Sequence, residues 1–214
     1  MEHAIETFKQ DGYKIKIYQD EDPMNPREND NLCVMVCEHR RYELGDRTAT
    51  ETELEAVRRG GFELLERYLR MKEGAVCLVP LGLLDHSGLH MWTGGGSHWS
   101  DSAGWDSGTV GFAYITKQRM VELCGTADYK TADFAGTAQQ WAEKQIDGEV
   151  EEYDQYLRGD VYGYVIEGED GEHVDSCWGF FGSDYVVKEA KSAAKAQRAH
   201  ETEQVYKLQQ CLAL

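Results

Sequence analysis

The stretch from Glu143 to Asp175 constrains the fold more than any other part of the chain. It holds twelve acids against Lys144 and Arg158, so −10 of a net charge of −17 falls in 33 residues. Runs this dense in charge tend to stay unfolded, yet two ordered patterns run through this one. Val150, Tyr153 and Leu157 recur at i, i+3 and i+7, which predicts a helix over residues 149–157. Its outward face would carry Glu151, Asp154 and Arg158, with Glu149 and Glu152 beside them. Two runs, Val161 to Glu167 and His173 to Phe181, then flank Gly168-Glu169-Asp170-Gly171, and Asp-Gly between two such runs is a strong hairpin signal. The expected result is a folded acidic surface.

The rest of the chain supplies a core. With 214 residues, 41% of them apolar and only three prolines, a chain of this size buries roughly 70% of its unfolded surface. Tyr13, Ile15 and Ile17 alternate with Lys14, Lys16 and Tyr18 as a half-buried strand, and Leu32 to Cys37 reads as a central one. Thr50 or Thr52 can cap a helix that runs through Lys72, with Gly60-Gly61 bending or splitting it and Gly74 closing it. Ala75 to Leu84, Leu89 to Thr93 and Val110 to Thr116 follow as strands, and Lys117 to Cys124 as a short helix. Thr131 or Asp133 begins a helical stretch interrupted at Asp147-Gly148. From Asp184 a last helix uses Ala190, Ala193, Ala194, Val205, Leu208 and Leu212. Strands in hairpin-like pairs with helices between blocks predict one α+β domain over residues 1–214, a mostly antiparallel sheet with flanking helices.

Several function classes recede on charge and composition. A pI near 4.8 sets up a repulsive field toward nucleic-acid phosphates and anionic membrane, and an attractive one toward basic protein grooves. The first dozen residues lack an apolar run of signal-peptide length and no window approaches a membrane span, so a cytoplasmic protein is expected. The six cysteines then read as free thiols, mostly buried.

Catalytic motifs are sparse. Asp85, His86, His90 and His98, followed by Asp101 and Asp106, are residue types that ligate divalent metals or move protons, and a metal-dependent enzyme built on them is the alternative reading. Their spacing matches no metal signature, so neither a metal nor another cofactor is expected. Cys33 and Cys37 stand about 13 Å apart on a strand, too far to share an ion. Residues 94–108, with five glycines and four serines, form a long loop of the kind that carries function. Trp105-Asp106-Ser107-Gly108 within it lacks the Gly-x-Ser-x-Gly pattern of a nucleophile elbow.

The segments Asn25-Pro26-Arg27-Glu28-Asn29-Asp30-Asn31, His39 to Asp46, Asp85-His86-Ser87-Gly88-Leu89, Trp105 to Phe112 and Glu152 to Gly163 resemble a group of proteins encoded by phages and prophages. The resemblance implies a mobile-element origin and assigns no catalytic residues. Small acidic phage proteins are similar in charge to antirestriction and anti-CRISPR inhibitors that imitate DNA. The resulting expectation is a non-enzymatic inhibitor acting in the host cytoplasm, with no direct nucleic-acid or membrane contact. Its partner would be the basic nucleic-acid-binding groove of a defence complex. Glu149, Glu151, Glu152, Asp154, Glu169, Asp170 and Glu172 would pair with basic side chains, and Tyr153 and Tyr156 would anchor the helix or add contact area.

Overall fold

Where the alternating and apolar runs predict one sheet, the strands sort into two. The protein is seen in a computed structural model that describes residues 3–101, 103–124 and 138–212. In chain order its elements are β1 (Glu6–Gln10), β2 (Tyr13–Gln19), β3 (Val34–Cys37), β4 (Arg47–Thr48), α1 (Glu51–Tyr68), β5 (Ala75–Asp85), β6 (Leu89–Thr93), β7 (Ser107–Thr116), α2 (Lys117–Cys124), α3 (Ala138–Arg158), β8 (Val161–Glu167), β9 (His173–Phe181) and α4 (Ser183–Leu212). The class is α+β, as predicted, with every strand pair antiparallel except β3 with β4. The chain divides into two compact units, Met1–Met24 with Gly159–Leu214, and Asn25–Arg158.

The first unit is a four-stranded sheet, β1-β2-β8-β9, covered on one face by α4. Tyr13, Ile15 and Ile17 of β2 and Tyr164 and Ile166 of β8 pack on Val186, Ala190 and Ala194 of α4. A buried side chain of this size is worth roughly 1.5–3 kcal/mol. Strand β1 is absent from the sequence reading. Its marker is Asp11-Gly12, where both residues take positive φ (52° and 89°), as the tightest hairpin turns require. Helix α4 departs from expectation in its second half. At 30 residues it is about 45 Å long, whereas β2 and β8, of seven residues each, span about 23 Å. The helix outruns its sheet, and Val205, Leu208 and Leu212 are 53%, 64% and 87% exposed instead of buried.

The second unit is a five-stranded sheet, β4-β3-β7-β5-β6, with helices on both faces. Met35 of β3 and Ala113 and Ile115 of β7 face α3, against Ile146, Val150 and Tyr153. Their neighbours Val36, Phe112 and Tyr114 face the other way, toward Leu65 of α1 and Leu69 just beyond it. Two covered faces explain why the central strands read as continuous apolar runs.

Thr50, one of the two predicted caps, caps α1 in a capping box with Glu53. Gly60 and Gly61 leave helical geometry, and Gly61 at φ 66°, ψ −165° lies where essentially only glycine goes. After Tyr68 the chain makes a π-helical turn, Leu69–Glu73, closed by Gly74 in the left-handed region. Helix α3 runs without a break through Asp147-Gly148, correcting the predicted interruption; a helical glycine costs about 1 kcal/mol, and α3 buries one whole stripe against the sheet to offset it. The predicted start at Thr131 or Asp133 lies outside the described residues. Among those residues, no helix is long and apolar enough to cross a membrane. Cys33, Cys37 and Cys77 are buried free thiols, while Cys177 and Cys211 are exposed.

Candidate functional site

Helix α3 crosses the sheet near β6, and this placement turns two of its acids inward. Glu149 reaches a buried guanidinium. Arg27 Nη1 donates to Glu149 Oε2 at 2.9 Å, while its Nε and Nη2 donate to the two carboxylate oxygens of Asp46 at 3.1 and 2.8 Å. Arg27 Nη2 also donates to the carbonyl of Cys33 at 2.8 Å. Both carboxylates then take backbone donors at the entry to β3, Leu32 N–H at 2.8 Å on Glu149 and Met35 N–H at 2.6 Å on Asp46. Burial alone would lower the Arg27 pKa, but the Asp46 and Glu149 hydrogen bonds outweigh it and hold the guanidinium firmly charged.

Asp154 is only 4% exposed, which corrects its predicted place on the outward face. Its Oδ1 accepts from the Met91 N–H at 2.7 Å and meets His90 Nδ1 at 2.8 Å, and its Oδ2 accepts from Arg158 Nε at 2.8 Å. The cause is the edge position of β6, which leaves the Met91 amide without a strand partner. A buried carboxylate fills that role. Tyr153 is buried too, its hydroxyl accepting from the Gly45 N–H at 3.0 Å, and half-buried Tyr156 stacks on it with centroids 6.1 Å apart. Both tyrosines anchor α3 to its own sheet.

The other predicted carboxylates behave differently. Glu151 is exposed and Glu152 half-buried, where burial, followed by the Glu149 charge, pushes the Glu152 carboxyl above its ordinary range. At the β8–β9 tip, Glu169, Asp170 and Glu172 are all exposed. The tip is closed by Gly168 N–H to the Glu172 carbonyl at 2.9 Å and Gly171 N–H to the Gly168 carbonyl at 3.1 Å. The Glu172 carboxylate folds back over Gly168, where a Cβ would stand 1.9 Å from Oε1, so a side chain there would displace that carboxylate. Among the described residues, none of these five carboxylates has an ion-pair partner.

Comparison with protein-family models, with curated proteins and with solved structures finds no match to this chain. Its chemistry is therefore read from its own residues.

The histidine set does not gather into one site. Asp85 accepts from Arg41 and lies 3.7 Å from His39 Nε2, and His86 Nδ1 turns instead to Asp106 Oδ2 at 3.0 Å. His90 is held by Asp154, and His98 Nδ1 meets Ser100 Oγ at 2.7 Å. Of the four, His90 and His98 are in ring contact, with centroids 5.1 Å apart. Among the described residues, no group of three or more His, Cys, Asp or Glu is placed to hold a metal ion. The buried thiols are poor nucleophiles as well, since burial pushes Cys37 up to about 12 and Cys33 well above its ordinary value.

Arg27 is a residue that neither periodicity nor charge density singles out. A signal for it was present, since Asn25-Pro26 opens a 3₁₀ turn, Pro26–Glu28, with the Asn25 side chain accepting from the Arg27 N–H at 3.0 Å. That turn fixes the backbone from which the guanidinium enters the protein.

Proposed function

We propose that the protein is a non-enzymatic inhibitor, of phage or prophage origin, that occupies a basic groove built for nucleic acid in a host CRISPR effector or restriction complex. The observation that carries the reading is the set of five carboxylates, Glu151, Glu152, Glu169, Asp170 and Glu172, that no cation of the described chain neutralises. Three of them stand within four residues at one hairpin tip, where like charges repel and gain nothing from the fold. A basic partner surface would relieve that repulsion, and its long-range attraction would speed encounter at low salt. Glu149 and Asp154 are already satisfied within the chain and are left out of the contact set. Tyr153 and Tyr156 support α3 from beneath.

The test is phage plating on a panel of hosts, each carrying one CRISPR or restriction system, with the protein expressed in the host. Wild-type protein should restore plating on at least one host. The reversal E169K/D170K/E172K, and separately E151K/E152K, should abolish the rescue while circular dichroism stays unchanged. If both reversals rescue as well as wild type, the carboxylates are not the contact and the reading fails.

A further inference from the structure

The break in α1 makes a second candidate site. Gly60 and Gly61 break the helix, and Met71 and Lys72 of the π-helical turn Leu69–Glu73 line one groove with Thr52, Ala56 and Arg59 of its first half. Backbone held in sparsely populated φ/ψ regions, as at Gly61, concentrates at functional positions. Between the two halves lies an open groove of about 370 Å³, within the size range of small-molecule sites. Ala56, Leu64, Tyr68 and Met71 supply its apolar wall. Met71 is 81% exposed, a large solvent-facing apolar side chain of the kind that adapts to irregular ligands.

The rim is basic in a chain that is otherwise strongly acidic. Arg59 is neutralised by Glu55 at 2.6 Å. Arg67 and Lys72, by contrast, are exposed and have no ion-pair partner among the described residues. Two free cations beside an apolar trough match a ligand with one hydrophobic chain and one negative head. We propose that the groove binds a single-chain anionic amphiphile of the fatty-acid type, its tail along Leu64, Tyr68 and Met71 and its carboxylate between Arg67 and Lys72. The inference is independent of the inhibitor reading and rests on different residues.

The experiment is calorimetric titration of the full chain with dodecanoate below its micelle concentration, alongside dodecyltrimethylammonium, which has the same tail and the opposite head. Saturable equimolar binding of dodecanoate alone is expected, weakened roughly tenfold or more in R67E/K72E and in M71D. Circular dichroism melts of both variants should match wild type, since all three side chains face solvent. Equal binding of the two amphiphiles, or dodecanoate binding that survives both variants, overturns the proposal. So does the absence of saturable binding, and an acidic amphipathic peptide that bound in its place would assign the groove to a partner helix.

Discussion

Helix α3 and the β8–β9 tip are two parts of one acidic run, and they use their carboxylates in opposite ways. Glu149 and Asp154 meet backbone amides that lack strand partners, one just before β3 and one along the edge strand β6, and each combines such an amide with a cation, Arg27 or Arg158. Glu169, Asp170 and Glu172 sit on a turn where the Gly168 and Gly171 amides bond to backbone carbonyls, and all three carboxylates are exposed without an ion-pair partner among the described residues. What separates the two groups is the local supply of donors. A count of acids therefore overstates the surface available to a partner, and each carboxylate has to be followed to its hydrogen bonds.

The comparison can be broken at its most expensive point. Arg27→Met leaves Glu149 and Asp46 without their shared cation, and loss of one partner from a buried ion pair costs about 3–5 kcal/mol; urea unfolding should show a loss of that size. Asp154→Ala strands the Met91 N–H and should cost about 1–3 kcal/mol in the same assay. Glu53 extends the bound class to α1, because it accepts from both Arg47 Nη atoms at 2.7 Å and from the Thr50 N–H. Burial alone would raise its carboxyl, but the Arg47 and Thr50 hydrogen bonds hold it below its ordinary 4.5. The folded state then binds fewer protons than the unfolded chain. Its stabilisation is complete above the unfolded value and is lost as pH falls through the lower folded one. Glu53→Gln should flatten that acid limb when midpoints are measured across pH 2 to 6.

Glu152 has the reverse sign. Its folded carboxyl is raised by burial and by the Glu149 charge, so its ionisation costs stability as pH rises through that raised value. Glu152→Gln should stabilise slightly at neutral pH and leave acid stability unchanged, with a shift in denaturant midpoint as the readout. The smallest effect belongs to the tip, where E169K/D170K/E172K should alter stability by no more than about 0.5 kcal/mol per site. A larger loss would mean that the tip carboxylates have partners after all, and the contrast between the two regions would collapse.

Much of the frame is legible in the sequence because it rests on local rules. The β8 and β9 runs flanking their Asp-Gly turn, the Thr50 cap and the Gly60-Gly61 break all follow from the backbone preferences of the residues present. Strand β1 escapes notice because Glu-Thr-Phe-Lys-Gln offers one apolar residue in five. The inward turn of Asp154 is not legible at all, since helical periodicity cannot report that an edge-strand amide 63 residues away needs an acceptor. The histidines mislead for a related reason. Closeness in sequence places Asp85 and His86 at one turn, but each finds its partner in another segment, Arg41 for Asp85 and Asp106 for His86.

The order of the two units along the chain has a kinetic consequence. Strand β2 pairs with β8, Lys14 opposite Glu167, and every residue of the second unit is made between them. At 5–20 residues per second, the ribosome needs on the order of ten seconds to cross Asn25–Arg158. For that interval β1 and β2 have an exposed apolar side and no sheet to join, while the second unit has all of its own strands in hand. Lys9, Lys14 and Lys16, alternating with Phe8, Ile15 and Ile17, put on this waiting hairpin the kind of charge that disfavours edge-to-edge pairing with other chains.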